Sequence, residues 1–140
     1  MDGDEAVRWA IDELVRQIEI RSISDGEHAL MAYIQARCEE LGFPATSHPI
    51  AGAGPNVVVR WDGATDAPDL LLTAHTDTID PAWAWDDRAS VDGTIVTGLG
   101  AQDDKGCAVA IMLGALLARE AGVDLTTDLQ VPKKGRSAST

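Results

Sequence analysis

Two linked segments of this chain carry residue types that could do chemistry together. His75 and Asp77 close an apolar run that reads LLLTAHTD over 70–77, and Asp103 and Asp104 close a glycine-rich turn that reads GLGAQDDKG over 98–106. An imidazole that binds a metal usually donates its other ring N–H to a carboxylate or carbonyl, which fixes its tautomer and orientation. Asp77 stands two residues after His75, on the same side if the chain stays extended. Taken alone, a histidine closing an apolar strand is more often a hydrogen-bonded structural residue. The second motif changes that balance. Gly98 and Gly100 permit backbone angles or close approaches that other residues resist. Asp103 and Asp104 then sit at the start of a helix, where the macrodipole favours carboxylates. They could simply cap that helix, but two adjacent aspartates repel one another, and a nearby cation would relieve the repulsion. A carboxylate can also bridge two metal ions, an arrangement suited to hydrolysis.

A nucleotide loop is the rival reading of a glycine-rich turn. Asp103 stands where GxGxxG needs its third glycine, and Lys105 is followed by Gly106 rather than by Ser or Thr. Acids pointing into a phosphate cradle would repel the ligand, so that reading is rejected.

The elements that must hold these residues follow from periodicity. Val7, Ile11, Leu14, Val15 and Ile18 recur at helical spacing and predict a helix over 5–21. Ser24 stands three residues before Glu27, a capping-box pattern that predicts the start of a second helix. That helix carries Leu30, Ile34, Cys38 and Leu41 along one face and stops at Gly42. The β-branched run 56–61 predicts a strand. The continuous apolar run 70–75 predicts another, buried on both faces as in a sheet covered by helices. A hairpin is expected over 90–97 around Asp92-Gly93. A third helix is expected over 105–121, with Val109, Met112, Leu113 and Leu116 or Leu117 inward and Gly122 closing it. Helices alternating with buried strands indicate an α/β layered domain.

The bulk numbers limit the partners. The chain has 140 residues, 45% of them hydrophobic, enough for one domain with a real core. Its formal net charge of -12 opposes phosphate backbones and anionic membranes, so neither nucleic acid nor a membrane is an expected partner. The two cysteines form no CxxC motif or disulfide framework, and the acidic N-terminus does not resemble a signal peptide. A cytoplasmic location is expected.

AHTDT followed by GxGAxDDKG resembles the M20 family of zinc metallopeptidases and deacylases, which includes enzymes of the acetylornithine deacetylase, succinyl-diaminopimelate desuccinylase and carboxypeptidase G2 types. The resemblance covers about residues 5–125 in motif, order and separation. It implies the N-terminal portion of a layered α/β catalytic domain with a mostly parallel sheet flanked by helices. It also implies a site of two zinc ions, with cobalt as an alternative. By position, His75 matches a zinc ligand, Asp77 the catalytic aspartate that orients it, and Asp103 the aspartate that bridges the two metals. Asp104 falls where family members vary and receives no metal role. Leu99 replaces a common arginine. The implied substrate is a small N-acyl amino acid or peptide cleaved at its amide bond.

The rest of the family's site has no counterpart here. The stretch 125–135, LTTDLQVPKKG, holds no glutamate where the family has a Glu-Glu pair, the first being the general base and the second a zinc ligand. The resemblance implies that the later ligands, the lid and the dimerisation domain that makes many relatives homodimers would come from sequence well beyond Thr140. Residues 1–128 are therefore expected to form a partial M20-like catalytic domain, and 129–140 a disordered or frameshifted tail. With at most two protein ligands per zinc, where catalytic zinc has three plus water, the chain is expected to be inactive and marginally stable. The alternative is a non-catalytic remnant that binds metal weakly or serves as a protein-interaction module. Among the remaining residues, His28 and His48 are read as surface residues, Trp83 and Trp85 as loop packing, and Cys107 as a small core residue.

Overall fold

The computed structural model describes residues 1–61, 70–81 and 88–123. The element order is α1 (Gly3–Glu19), α2 (His28–Glu40), β1 (Ala45–His48), β2 (Asn56–Val59), β3 (Ser90–Asp92), β4 (Ile95–Thr97) and α3 (Gly106–Glu120), the last preceded by a wide turn over Ala101–Lys105. The tail expected over 129–140 and the Trp83–Trp85 loop lie outside the described residues.

Helix α1 begins in a reciprocal capping box. Asp2 accepts from the Glu5 N–H at 2.8 Å, and the Glu5 carboxylate accepts from the Asp2 N–H at 2.9 Å, satisfying two of the donors that a helix start leaves open. Its fully buried residues are Glu13, Gln17 and Ile18, whereas Val7 is exposed. The face expected to be inward is therefore rotated. Glu13 can be buried because Arg37 Nε donates to it at 3.0 Å, the Tyr33 hydroxyl at 3.0 Å and Gln17 Nε2 at 3.2 Å. A buried carboxylate without such partners would be very costly.

Helices α2 and α3 supply the core. Leu30, Ile34 and Cys38 of α2 pack with Phe43, Met112 and Leu116, the faces read from the sequence. Gly42 ends α2 at φ 83, a left-handed angle that any side chain would disfavour. The Arg119 guanidinium lies 4.2 Å from the Phe43 ring centre and donates to the Leu41 carbonyl, tying the ends of α2 and α3 together.

The strand pairing departs from expectation. Strand β1 pairs antiparallel with β2, from Ala45 opposite Val59 to His48 opposite Asn56, and β3 pairs antiparallel with β4 across the Asp92-Gly93 turn. Among the described residues the single parallel pairing is an isolated bridge between Ile23 and Thr78, so the described chain is α/β with two small antiparallel sheets. Leu70, Leu71 and Leu72 belong to no strand and are 48%, 74% and 58% exposed, against the doubly buried strand expected there. Burial of such a run needs paired neighbours on its edges and cover on its faces, and the described residues supply neither to 70–72.

An open apolar trough of about 570 Å³ runs along α1, β4 and α3, lined among others by Val7, Ile11, Leu14, Val96 and Leu113. It contains no titratable side chain, so no acid–base or metal chemistry is centred there. Among the described residues no helix is long and apolar enough to cross a membrane.

Candidate functional site

The segment bearing His75 is fixed from one side by the link between α1 and α2. The Thr78 N–H donates to the Ser22 carbonyl at 2.8 Å, the Ser24 N–H donates to the Thr78 carbonyl at 3.0 Å, and the Ser22 hydroxyl donates to the Thr76 carbonyl at 2.7 Å. Three bonds thus hold residues 76–78 against residues 22–24.

From the other side comes the glycine-rich turn, and its glycines are explained by packing. A side chain at Gly98 would meet Ile18 Cγ2 at 2.6 Å, and one at Gly100 would meet Thr78 Cγ2 at 2.8 Å. Gly100 also has φ 78, a left-handed angle. The turn closes as the Lys105 N–H donates to the Gly100 carbonyl at 3.0 Å. Lys105 is 1% exposed. Its ammonium donates to the Gln17 carbonyl at 2.8 Å and the Ile20 carbonyl at 3.2 Å, at the end of α1, where unpaired carbonyls attract a cation. Lys105 therefore bolts the acidic turn to the first helix.

These supports bring His75, Asp77, Asp103 and Asp104 together. His75 Nδ1 lies 3.1 Å from Asp77 Oδ1 and 3.3 Å from the Asp77 carbonyl, while Nε2 lies 2.9 Å from Asp103 Oδ1. The two acids of the pair divide their tasks. Asp103 and Asp104 both leave helical backbone angles, and the peptide bond between them is cis. Asp103 meets the imidazole, and Asp104 Oδ2 accepts from the His75 backbone N–H at 3.2 Å. Ser24 completes the set: its hydroxyl donates to Asp77 Oδ2 at 2.8 Å. Ser24, His75, Asp77 and Asp103 line an open cleft of about 370 Å³ that includes Gly100 and Gln102.

The electrostatics follow these contacts. The hydrogen bond to Asp103 is the main reason the His75 imidazole is held above the ordinary histidine range, with Asp77 adding to it. The Ser24 hydroxyl, followed by His75, holds Asp77 below the usual carboxylate range. Asp104 is also lowered, first by a hydrogen bond from Cys107 and then by the His75 N–H. Cys107 is exposed, which corrects the core position expected for it. Its thiol is pushed up by the same bond to Asp104. His28 and His48 are exposed, as expected.

Asp77 and Asp103 lie at opposite edges of the imidazole, so a cation would be held by His75 Nε2 and Asp103 Oδ1. Tetrahedral ligands at about 2.1 Å from a zinc ion stand about 3.4 Å apart. The observed 2.9 Å needs an opening of a few tenths of an ångström, easy for two exposed side chains. An imidazole nitrogen, a carboxylate oxygen and a second carboxylate orienting Nδ1 form a donor set that suits zinc. Among the described residues, no group of three or more His, Cys, Asp or Glu side chains is gathered where it could hold a metal ion, so this pair is a partial ligand set.

Sequence reasoning assigned Ser24 to a helix cap and gave Lys105 no role. The hydroxyl instead reaches Asp77, and α2 starts at His28 with no side-chain cap. The Glu27 carboxylate is occupied by the Asp25 and Gly54 N–H groups at 2.9 and 3.0 Å. The signal for Lys105 was a cation directly after two acids in an otherwise apolar helix start.

No family model matches the chain. Three curated proteins resemble it. A probable carboxypeptidase of Emericella nidulans is 28% identical over 103 residues, which cover 71% of this chain and 24% of that protein. The N-formyl-4-amino-5-aminomethyl-2-methylpyrimidine deformylase of Bacillus subtilis is 30% identical over 108 residues, 71% of this chain and 25% of that protein. A probable carboxypeptidase of Aspergillus terreus is 32% identical over 108 residues, with the same coverage. The chain thus spans about a quarter of the length of the curated relatives it matches.

Proposed function

We propose that His75, Asp77 and Asp103 belong to the metal site of an M20-like amide hydrolase, and that this chain supplies one part of that site. The observation that carries the proposal is the His75 imidazole, oriented by Asp77 through Nδ1 and facing Asp103 through Nε2. The names of its relatives support the same chemistry, since a carboxypeptidase and a deformylase both hydrolyse an amide C–N bond. Small N-acyl amino acids or peptides are the substrate class.

His75 and Asp103 would hold zinc, or cobalt in its place, and Asp103 is the residue suited to bridge a second ion. The metal would act as a Lewis acid toward the amide carbonyl. With a metal bound in place of the Nε2 proton, Asp77 would accept the remaining Nδ1 proton and so leave the Nε2 lone pair to ligate. Asp104 holds the His75 backbone through its N–H. No glutamate stands in 125–135 to serve as base, and His75 and Asp103 fall short of the three protein ligands of a catalytic zinc. The 140-residue chain is therefore expected to bind metal without hydrolysing amides. Two free cysteines and a net charge of -12 support a cytoplasmic location.

A chimera tests the reading. The aligned part of this chain, 71% of its length, would replace the matching quarter of the B. subtilis deformylase, and formate release from its N-formyl substrate would be measured. Metal-dependent release that disappears in His75→Ala supports the hydrolase site. A folded chimera that binds metal but releases no formate favours the second reading, a non-catalytic metal-binding or interaction module, which the missing glutamate also supports.

A further inference from the structure

We propose that Ser24 is a positioning residue for this site, one that acts by holding Asp77. The inference rests on the metal-site reading above and extends it by one residue and one element, the link between α1 and α2. The Ser24 hydroxyl has a single proton. Its closest acceptor is Asp77 Oδ2 at 2.8 Å, and the Thr78 carbonyl at 3.5 Å is too distant to compete well. The other oxygen of the same carboxylate faces His75 Nδ1 at 3.1 Å. One donor on each oxygen fixes the plane of the carboxylate, and that plane sets the direction of the imidazole. Ser24, Asp77, His75 and Asp103 thus form an unbroken polar chain from the interhelical link to the metal-facing edge.

The backbone makes this arrangement specific. The Ile23–Thr78 bridge places Ser24 one residue after and Asp77 one residue before the bridged pair, diagonally across two parallel segments. The bond from the Ser24 N–H to the Thr78 carbonyl at 3.0 Å locks the register. Asp25 follows at φ 69, turning the chain toward α2 immediately after the hydroxyl has been delivered. Ser24 is itself exposed, so water competes for Asp77 and the effect is graded. Removing an outer partner of a metal-bound histidine typically lowers metal affinity 10–100-fold. One bond further out and in contact with solvent, the loss at Ser24 is about 3–10-fold.

The test uses the 140-residue chain as wild type, Ser24→Ala, Ser24→Thr and His75→Ala. Long-range proton–nitrogen spectra of ¹⁵N-histidine-labelled, metal-free protein, recorded above the His75 titration, report which ring nitrogen carries the proton. His75→Ala identifies the signals. With a carboxylate facing each ring nitrogen in the metal-free protein, the expected result is a wild-type proton shared between Nδ1 and Nε2, a shift away from Nδ1 in Ser24→Ala and recovery of the wild-type distribution in Ser24→Thr. Zinc affinity should fall about 3–10-fold in Ser24→Ala and return in Ser24→Thr. An unchanged tautomer in a folded Ser24→Ala overturns the proposal, whatever the metal does. A changed tautomer upholds it even if wild type and His75→Ala bind zinc equally, a result that would instead remove the metal-site reading.

Discussion

Lys105→Met removes one ammonium while keeping most of the buried stem, and it tests how the acidic turn is anchored. The Lys105 ammonium satisfies the carbonyls of Gln17 and Ile20 at 2.8 and 3.2 Å. Leaving a buried acceptor unpaired costs about 1–3 kcal/mol, less for Ile20, which is only partly buried. Loss of a cation at a helix C-terminus adds about 0.3–1 kcal/mol. Relief from desolvating an ammonium works in the opposite direction, so a net destabilisation of about 2–3 kcal/mol is expected. For a domain of this size the urea dependence is about 1–1.5 kcal/mol per molar, and the unfolding midpoint should fall by about 2 M. The assay is equilibrium urea unfolding followed by far-UV circular dichroism. Exchange of a buried charge for an apolar side chain can also stabilise a protein. A midpoint that is unchanged or raised would therefore refute the anchoring role of Lys105.

Further outcomes follow from the same structure. Burial pushes the Cys38 thiol up to about 11, while Cys107 is exposed; Ellman's reagent at pH 8 should therefore titrate one thiol quickly and the second only after denaturant is added. The Cys107 thiol is raised by its bond to Asp104, so Asp104→Asn should speed the fast phase, and an unchanged rate would contradict that bond. In metal-free protein, NMR titration should place His75 above the ordinary histidine range, and Asp103→Asn should bring it down. Because the folded value is raised, the His75 contribution to stability is present below the unfolded histidine pKa and disappears as pH rises through the folded one. Gly100→Ala combines a left-handed backbone angle with a contact 2.8 Å from Thr78 Cγ2. It should destabilise by about 2–4 kcal/mol, and a melting temperature within one or two degrees of wild type would argue against that packing.

The helices were legible because their evidence is local. Leu30, Ile34 and Cys38 repeat at one face, and Gly42 and Gly122 both adopt left-handed angles where the helices end. The β3–β4 hairpin was legible from Asp92-Gly93, and β2 from its β-branched run. The inward face of α1 was misread because Glu13 is buried through partners on α2, Tyr33 and Arg37, which no periodicity within α1 announces. Ser24 was misread for the same reason. A serine three residues before a glutamate matches a helix cap, but Asp77, 53 positions away, offers its hydroxyl a charged acceptor. The apolar run 70–75 reads as a buried strand because hydrophobicity records what a segment could bury rather than what stands beside it. The spacing of His75, Asp77 and Asp103 did identify residues that meet in space. Lys105 and the glycine contacts with Ile18 and Thr78, which set the position of the turn, depend on tertiary packing.

Isothermal titration of the 140-residue chain with Zn²⁺, alongside His75→Ala, Asp103→Ala and a surface control at His48→Ala, tests the metal site most directly. Saturable binding should be seen in wild type and in His48→Ala, and it should weaken at least tenfold when either His75 or Asp103 is replaced. Equal affinity in all four proteins, each shown to be folded by circular dichroism, would contradict the assignment of His75 and Asp103 as metal ligands.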